Sequence, residues 1–235
     1  MAGRFLVLDG PDGCGKSTQA KRLVDRLRAD GRDVLHTREP GGTRTGEAIR
    51  ALLLDPSRGE MTLRAELLLY MASRAQIVEE VLRPALAADR VIVCERYLSS
   101  SIAYQGVAGG LGADEVARVG AFATGGLAPD VTVILDIDPS LALDRLALRY
   151  GKSRPKTSPL EAEIAKRNSD EFVNMLAAHS RDRIEARPPS YQEVVRQGFL
   201  DLASKDPSRY FVVDARGTED EVAARVWQRV QATLA

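Results

Sequence analysis

The sequence predicts an α/β fold, a parallel β-sheet with helices on both faces. Five short apolar runs read as buried strands: Phe5–Asp9, Val34–Thr37, Val91–Cys94, Val131–Ile137 and Tyr210–Val213. Helical patterns lie between them, and strands alternating with helices form parallel sheets through right-handed crossovers. A third observation locates the ligand. The run from Gly10 to Ser17 fits the phosphate-loop pattern of Gly, four residues, Gly, Lys and Ser or Thr, set between the first strand and the first helix.

The first strand is apolar until Asp9, as a strand buried on both faces requires. It leads into Gly10, Pro11, Asp12, Gly13, Cys14, Gly15, Lys16, Ser17 and Thr18, after which Ala20, Leu23, Val24 and Leu27 recur at helical spacing. In that context backbone N–H groups and a helix N-terminus face phosphate oxygens, Lys16 neutralises the β and γ oxygens, and the Ser17 hydroxyl can ligate magnesium. An ordinary glycine-rich turn has no use for the Lys-Ser pair, so the loop implies a nucleoside triphosphate. The second strand hands over to Arg38-Glu39-Pro40-Gly41-Gly42-Thr43, and the third to Glu95-Arg96-Tyr97. Between them, Leu63–Leu86 is a long helical pattern with Leu67, Leu68, Met71, Ile77, Val78 and Leu82 on more than one face. One face packs on the sheet, and the excess predicts a second buried surface, read as a homodimer interface. After the fourth strand, Ser158-Pro159-Leu160-Glu161 has the form of a helix start, with a Ser cap, Pro at the first position and Glu completing a capping box. Phe172, Met175, Leu176 and His179 then return at helical spacing, so Lys152–Arg181 is expected to be helical.

A chain of 235 residues that is 44% hydrophobic can bury one sizeable core. One domain over residues 1–235, with an appendage at about 145–190, is the expected organisation. No run reaches membrane-spanning length, and Met1-Ala2-Gly3-Arg4 leaves no room for a leader's apolar segment, so a cytoplasmic location is expected. Cys14 and Cys94 are the only cysteines, which suits a reducing compartment better than a disulfide framework. Acidic and basic residues balance at 33 each, so no overall field recruits a nucleic acid polymer and anion binding must come from local clusters. The two histidines, His36 and His179, are too isolated for a zinc site.

Arg38 to Thr43, Arg74, Glu95-Arg96-Tyr97 and Ala103-Tyr104-Gln105-Gly106 follow strands or lie on the long helix, where they can surround a second ligand. Taken with the phosphate loop, this set resembles the thymidylate kinases. The similarity runs over Leu8–Gly15, Thr37–Leu54, Tyr70–Gln76, Arg96–Gly106, Ala128-Pro129-Asp130 with Leu135-Asp136, and Tyr210–Ala215. It implies the phosphate-loop nucleoside monophosphate kinase fold: a five-stranded parallel sheet, an extended helical lid after the fourth strand, and a homodimer. It also implies transfer of the γ-phosphoryl group of ATP to dTMP with Mg2+. Carried onto this chain, the resemblance places Lys16, Ser17 and Arg96 around the phosphoryl groups and Asp12 near the acceptor's sugar hydroxyl and the magnesium shell. Arg74 and Ser101 fall on the thymine edge. Tyr70 falls where the family commonly stacks a Phe on the base, Tyr104 where a ribose 2′-OH would be crowded, Gln105 beside the acceptor, and Arg38 near the acceptor phosphate.

Three departures qualify the pattern. Glu95 stands where the family usually has Asp, and its longer carboxylate is expected to hold a magnesium-bound water. Gly13 occupies a position where some members carry a catalytic Arg; such sequences usually draw that charge from the lid, for which Arg149 and Arg183 are the candidates. Those two arginines are separated by about thirty extra residues, more than an ordinary structureless loop would hold. The chemistry agrees with these roles, because phosphoryl transfer has a loose transition state that asks for positioning and cations. An acceptor phosphate that is already anionic needs no general base. Two alternatives stay open: a kinase for another nucleoside monophosphate, separated by Arg74, Ser101 and Tyr104, and a phosphate-loop regulatory or binding protein, separated by whether turnover depends on an acceptor nucleotide.

Overall fold

The structure, a computed structural model, describes residues 3–149, 183–184 and 187–234. The expected helical segment Lys152–Arg181 and the side chain of Arg149 lie outside the described residues. Five parallel strands, β1 (Arg4–Asp9), β2 (Val34–Arg38), β3 (Val91–Glu95), β4 (Val131–Asp136) and β5 (Tyr210–Asp214), form one sheet in the order β2-β3-β1-β4-β5. β1 is central, with Leu8 opposite Glu95 on β3 and Asp9 opposite Ile134 on β4. Arg38 and Glu95 close their strands rather than follow them, and the two stand opposite each other at the carboxyl edge of the sheet.

Alternate residues of the central strands build the two faces of the core, because strand side chains alternate across a sheet. Leu6, Leu8, Val93, Val133 and Leu135 pack on Leu23, Val24 and Leu27 of α1 (Lys16–Ala29) and on Val222, Val226 and Val230 of α9 (Glu219–Val230). On the other face Phe5, Val7, Ile92 and Cys94 meet Ile77, Val78 and Leu82. α1 begins at Lys16, so its N-terminus abuts the phosphate loop directly.

The long helix is not uniform. α3 (Leu63–Ile77) passes through a π-helical segment, Val78–Leu82, into α4 (Arg83–Ala87). The change in register comes just before Pro84, which has no N–H for the carbonyl one turn back. The second apolar face is covered partly from within the chain. Leu67 and Met71 join Ile102 and Val116, the latter from α6 (Ala113–Thr124). Leu68 stays 59% exposed, as does Phe122 of α6 at 90%.

The remaining helices position the site. α2 (Arg44–Leu54) is capped by Thr43, whose side chain accepts from the Gly46 N–H at 2.9 Å. α5 (Leu98–Ser101) runs into a second π-helical segment, Ile102–Ala108, which carries Tyr104 and Gln105. α7 (Pro139–Arg149) follows β4, and α8 (Pro189–Lys205) packs against the second π segment. No helix among the described residues is long and apolar enough to cross a membrane.

Candidate active site

The phosphate loop leaves β1 through three glycines with positive φ, Gly10, Gly13 and Gly15. At Gly13 a Cβ would run into the carbonyl of Ala142 on α7, so the loop takes this path only because that residue lacks one. The Lys16 ammonium donates to the carbonyls of Gly10 at 3.0 Å and Pro11 at 2.8 Å, which curls the side chain over the loop. The Ser17 hydroxyl donates to Glu95 Oε2 at 2.5 Å, and His36 Nε2 lies 3.2 Å from Glu95 Oε1. Burial alone would raise the Glu95 pKa, but the hydrogen bonds from His36 and Ser17, with the charge of Lys16, outweigh it and hold the carboxyl below its ordinary value.

Asp9 is fully buried and accepts from the Gly10 N–H at 2.9 Å and from the hydroxyls of Ser99 and Ser100, each at 2.6 Å. Those bonds tie the end of β1 to the start of α5. Arg96 holds a left-handed backbone with φ of 68°, a conformation that costs a residue with a Cβ about 1–3 kcal/mol. This turn carries its guanidinium back over β1, where it pairs with Asp12 and donates to Gly10 O at 3.3 Å and Ser100 Oγ at 3.0 Å. Tyr104 donates its hydroxyl to the other oxygen of Asp12 at 2.8 Å. Burial and the Asp12 carboxylate both push the Tyr104 phenol up, so it stays a neutral donor.

A second concavity opens on the other side of Arg96. Arg74 is 1% exposed and donates from Nε to Glu39 Oε2 at 2.7 Å, from one terminal nitrogen to Ser101 Oγ at 3.1 Å, and from the other to Tyr97 O at 3.0 Å. Glu39 Oε1 is buried without a hydrogen-bond partner. Burial pushes the Glu39 carboxyl up to about 7, against the pull of Arg74. Tyr70, Arg74, Ser101, Tyr104 and Gln105, all expected beside an acceptor, line this pocket together. The phosphate-loop cleft is separate but shares Asp12, Glu39, Arg50 and Arg96 with it, so the two concavities meet along these four side chains.

Three of the expected site residues carry ion pairs or hydrogen bonds of their own. Arg38 lines the phosphate-loop cleft, half exposed and paired with Glu47 at 3.2 Å. Arg183 is paired with Glu66 at 2.7 Å and donates to Leu53 O at 3.1 Å, and it does not line the phosphate-loop cleft. Gln105 also turns to Glu66, at 2.8 Å. Three residues escaped the sequence reading. Arg145 of α7 lies against the loop, donating to Cys14 O at 3.5 Å and Ala215 O at 2.9 Å; its spacing of four from Arg149 was the available signal. Arg50 lines both concavities from α2, one turn beyond Glu47. Glu66 is a buried carboxylate on α3, and nothing local marks its partners. No cluster of three or more His, Cys, Asp or Glu residues suited to a metal occurs among the described residues.

A sequence model of the thymidylate kinase family matches residues 8–175. The chain is 44% identical to the thymidylate kinase of Deinococcus radiodurans, over 97% of this chain and 96% of the relative. It is 40% identical to that of Cutibacterium acnes, over 100% and 99%. The crystal structure of thymidylate kinase from Ehrlichia chaffeensis superposes with a TM-score of 0.69 at 26% identity, covering 98% of this chain and 100% of that one. With a phosphate loop, a second concavity that shares Arg50 and Arg96 with the loop's cleft, and relatives matched over nearly their full length, the chain belongs to the thymidylate kinase family.

Proposed function

We propose a division of labour for the reaction of this family, phosphorylation of dTMP to dTDP with ATP as donor. ATP lies in the phosphate-loop cleft, with Lys16 and Arg96 on the phosphoryl oxygens and Arg145 and Arg149 on the donor side. The acceptor lies in the second pocket, its base edge on Arg74 and Ser101 and its ring on Tyr70. Tyr104 crowds the position of a ribose 2′-OH, and Asp12 lies near the sugar hydroxyl. Arg38 and Arg50 serve the acceptor phosphate. The observation that carries this reading is that the two concavities share Arg50, Arg96 and Asp12, so phosphates entering from opposite sides meet at the same two cations.

The Ser17 hydroxyl and Glu95 carboxylate are neighbouring hard oxygen donors, a set that fits Mg2+, which is commonly held by one or two protein ligands and several waters. When bound, the ion neutralises charge on the β and γ oxygens. An oxygen of the dTMP phosphate forms the new P–O bond while the bond from the γ phosphorus to the β–γ bridging oxygen breaks, giving dTDP and ADP. That acceptor oxygen is already anionic, so no side chain need take a proton. Lys16 and Arg96 stabilise the charge carried by the transferring oxygens. The exposed Leu68 and Phe122 are assigned to a homodimer contact, and the location to the cytoplasm. Phosphorus NMR of ATP, Mg2+ and dTMP with the protein tests the reaction: ADP and dTDP grow together, whereas inorganic phosphate released without dTDP would identify a nucleotide hydrolase instead.

A further inference from the structure

Glu66 is 0% exposed and lies on α3 four residues before Tyr70 and eight before Arg74, so it shares their side of the helix. Its Oε1 accepts from Gln105 at 2.8 Å, and its Oε2 accepts from Arg187 at 2.6 Å and pairs with Arg183 at 2.7 Å. Each partner reaches a different wall of the acceptor pocket. The Arg183 guanidinium donates to Leu53 O and its backbone N–H to Leu54 O, both at 3.1 Å, at the end of α2. Arg187 donates to the Tyr191 hydroxyl at the start of α8, and that hydroxyl donates to Tyr104 O at 2.5 Å. Leu54, Tyr104, Gln105 and Ile184, the last lying between the two arginines, all line the pocket. One carboxylate therefore holds together α2, the second π segment and the start of α8 around the acceptor.

A buried charge network of this kind is a weak source of stability, since a well-packed apolar replacement is often as stable. What it fixes well is geometry, because charge-assisted hydrogen bonds are short and directional. Resting on the acceptor-pocket reading given above, we infer that Glu66 is a positioning residue for dTMP, acting through Gln105, Arg183 and Arg187 to set the width of the acceptor pocket.

The test uses the full chain and measures KM for dTMP, KM for ATP, kcat and Tm in Glu66→Gln and Arg187→Gln, singly and together. Each single variant should raise KM for dTMP about tenfold with KM for ATP changed less than about twofold, the signature of lost acceptor binding alone. The double variant should be little worse than the poorer single one, since both break the same wall. If Glu66→Gln fails to fold, the partly exposed Arg187→Gln carries the same readout. A lowered Tm with KM for dTMP unchanged, or an equal rise in both KM values, overturns the inference. Absence of dTMP phosphorylation by the unmodified protein overturns the pocket reading itself, a distinct result.

Discussion

Lys16 and Arg96 are the side chains to which the proposed function gives the phosphoryl chemistry, and both are held by groups other than core packing. Lys16 bonds to loop carbonyls, and Arg96 to Asp12, Gly10 and Ser100. Removing a well-placed transition-state donor costs about 3–4 kcal/mol, so Lys16→Ala and Arg96→Ala should each lower kcat by about 10²–10³-fold with far-UV circular dichroism unchanged. Near-normal turnover by folded Lys16→Ala contradicts the role given to the loop. Glu39 permits a pH prediction. Its carboxyl is raised to about 7 in the folded chain from an ordinary value of 4.5, mainly by burial. The folded state thus holds this proton more tightly than the unfolded state. The stability it contributes is complete below about 4.5 and is lost as pH rises through about 7. Glu39→Gln cannot titrate, so the Tm of the unmodified protein minus that of the variant should fall between those pH values. A difference that stays level or rises across that window refutes the assignment.

At the scale of elements, the contact of the phosphate loop with α7 is the tightest constraint. At Gly13 a Cβ would meet the Ala142 carbonyl from a backbone with φ of +79°. Gly13→Arg should therefore destabilise the protein, by about 1–3 kcal/mol from overpacking plus strain, and lower activity rather than restore a missing cation. Thermal unfolding and kcat check this, and an active, equally stable Gly13→Arg protein would show that α7 yields. The five strands were legible because each is a short apolar run ending in turn or polar residues, and the loop was legible because its spacing is chemically demanding. The π segments at Val78–Leu82 and Ile102–Ala108 were not, since side-chain periodicity over so few residues does not distinguish a π from an α turn. Arg74 and Ser101 were foreseen, but their bond to one another was not, nor was the pairing of Glu66 with Arg183. Both are contacts across long sequence separations that depend on how α3 packs.

For the whole molecule, α3 and α6 cover Leu67 and Met71 between them yet leave Leu68 and Phe122 outward. Large exposed apolar side chains on adjoining helices fit a self-complementary contact about a twofold axis. Phe122→Glu and Leu68→Glu should convert a dimer to a monomer in sedimentation velocity, while a monomeric unmodified protein removes this surface from the account. In the proposed function the sheet brings two nucleotide pockets together around Arg50 and Arg96, the second shaped for deoxythymidine monophosphate. A buried polar site left unpaired by the wrong base costs about 1–3 kcal/mol per group, which compounds across Arg74 and Ser101. The most direct measurement is a coupled steady-state assay with ATP and, in turn, dTMP, UMP and AMP. The account predicts kcat/KM for dTMP at least about a hundredfold above the other two. Comparable turnover of UMP or AMP would contradict it.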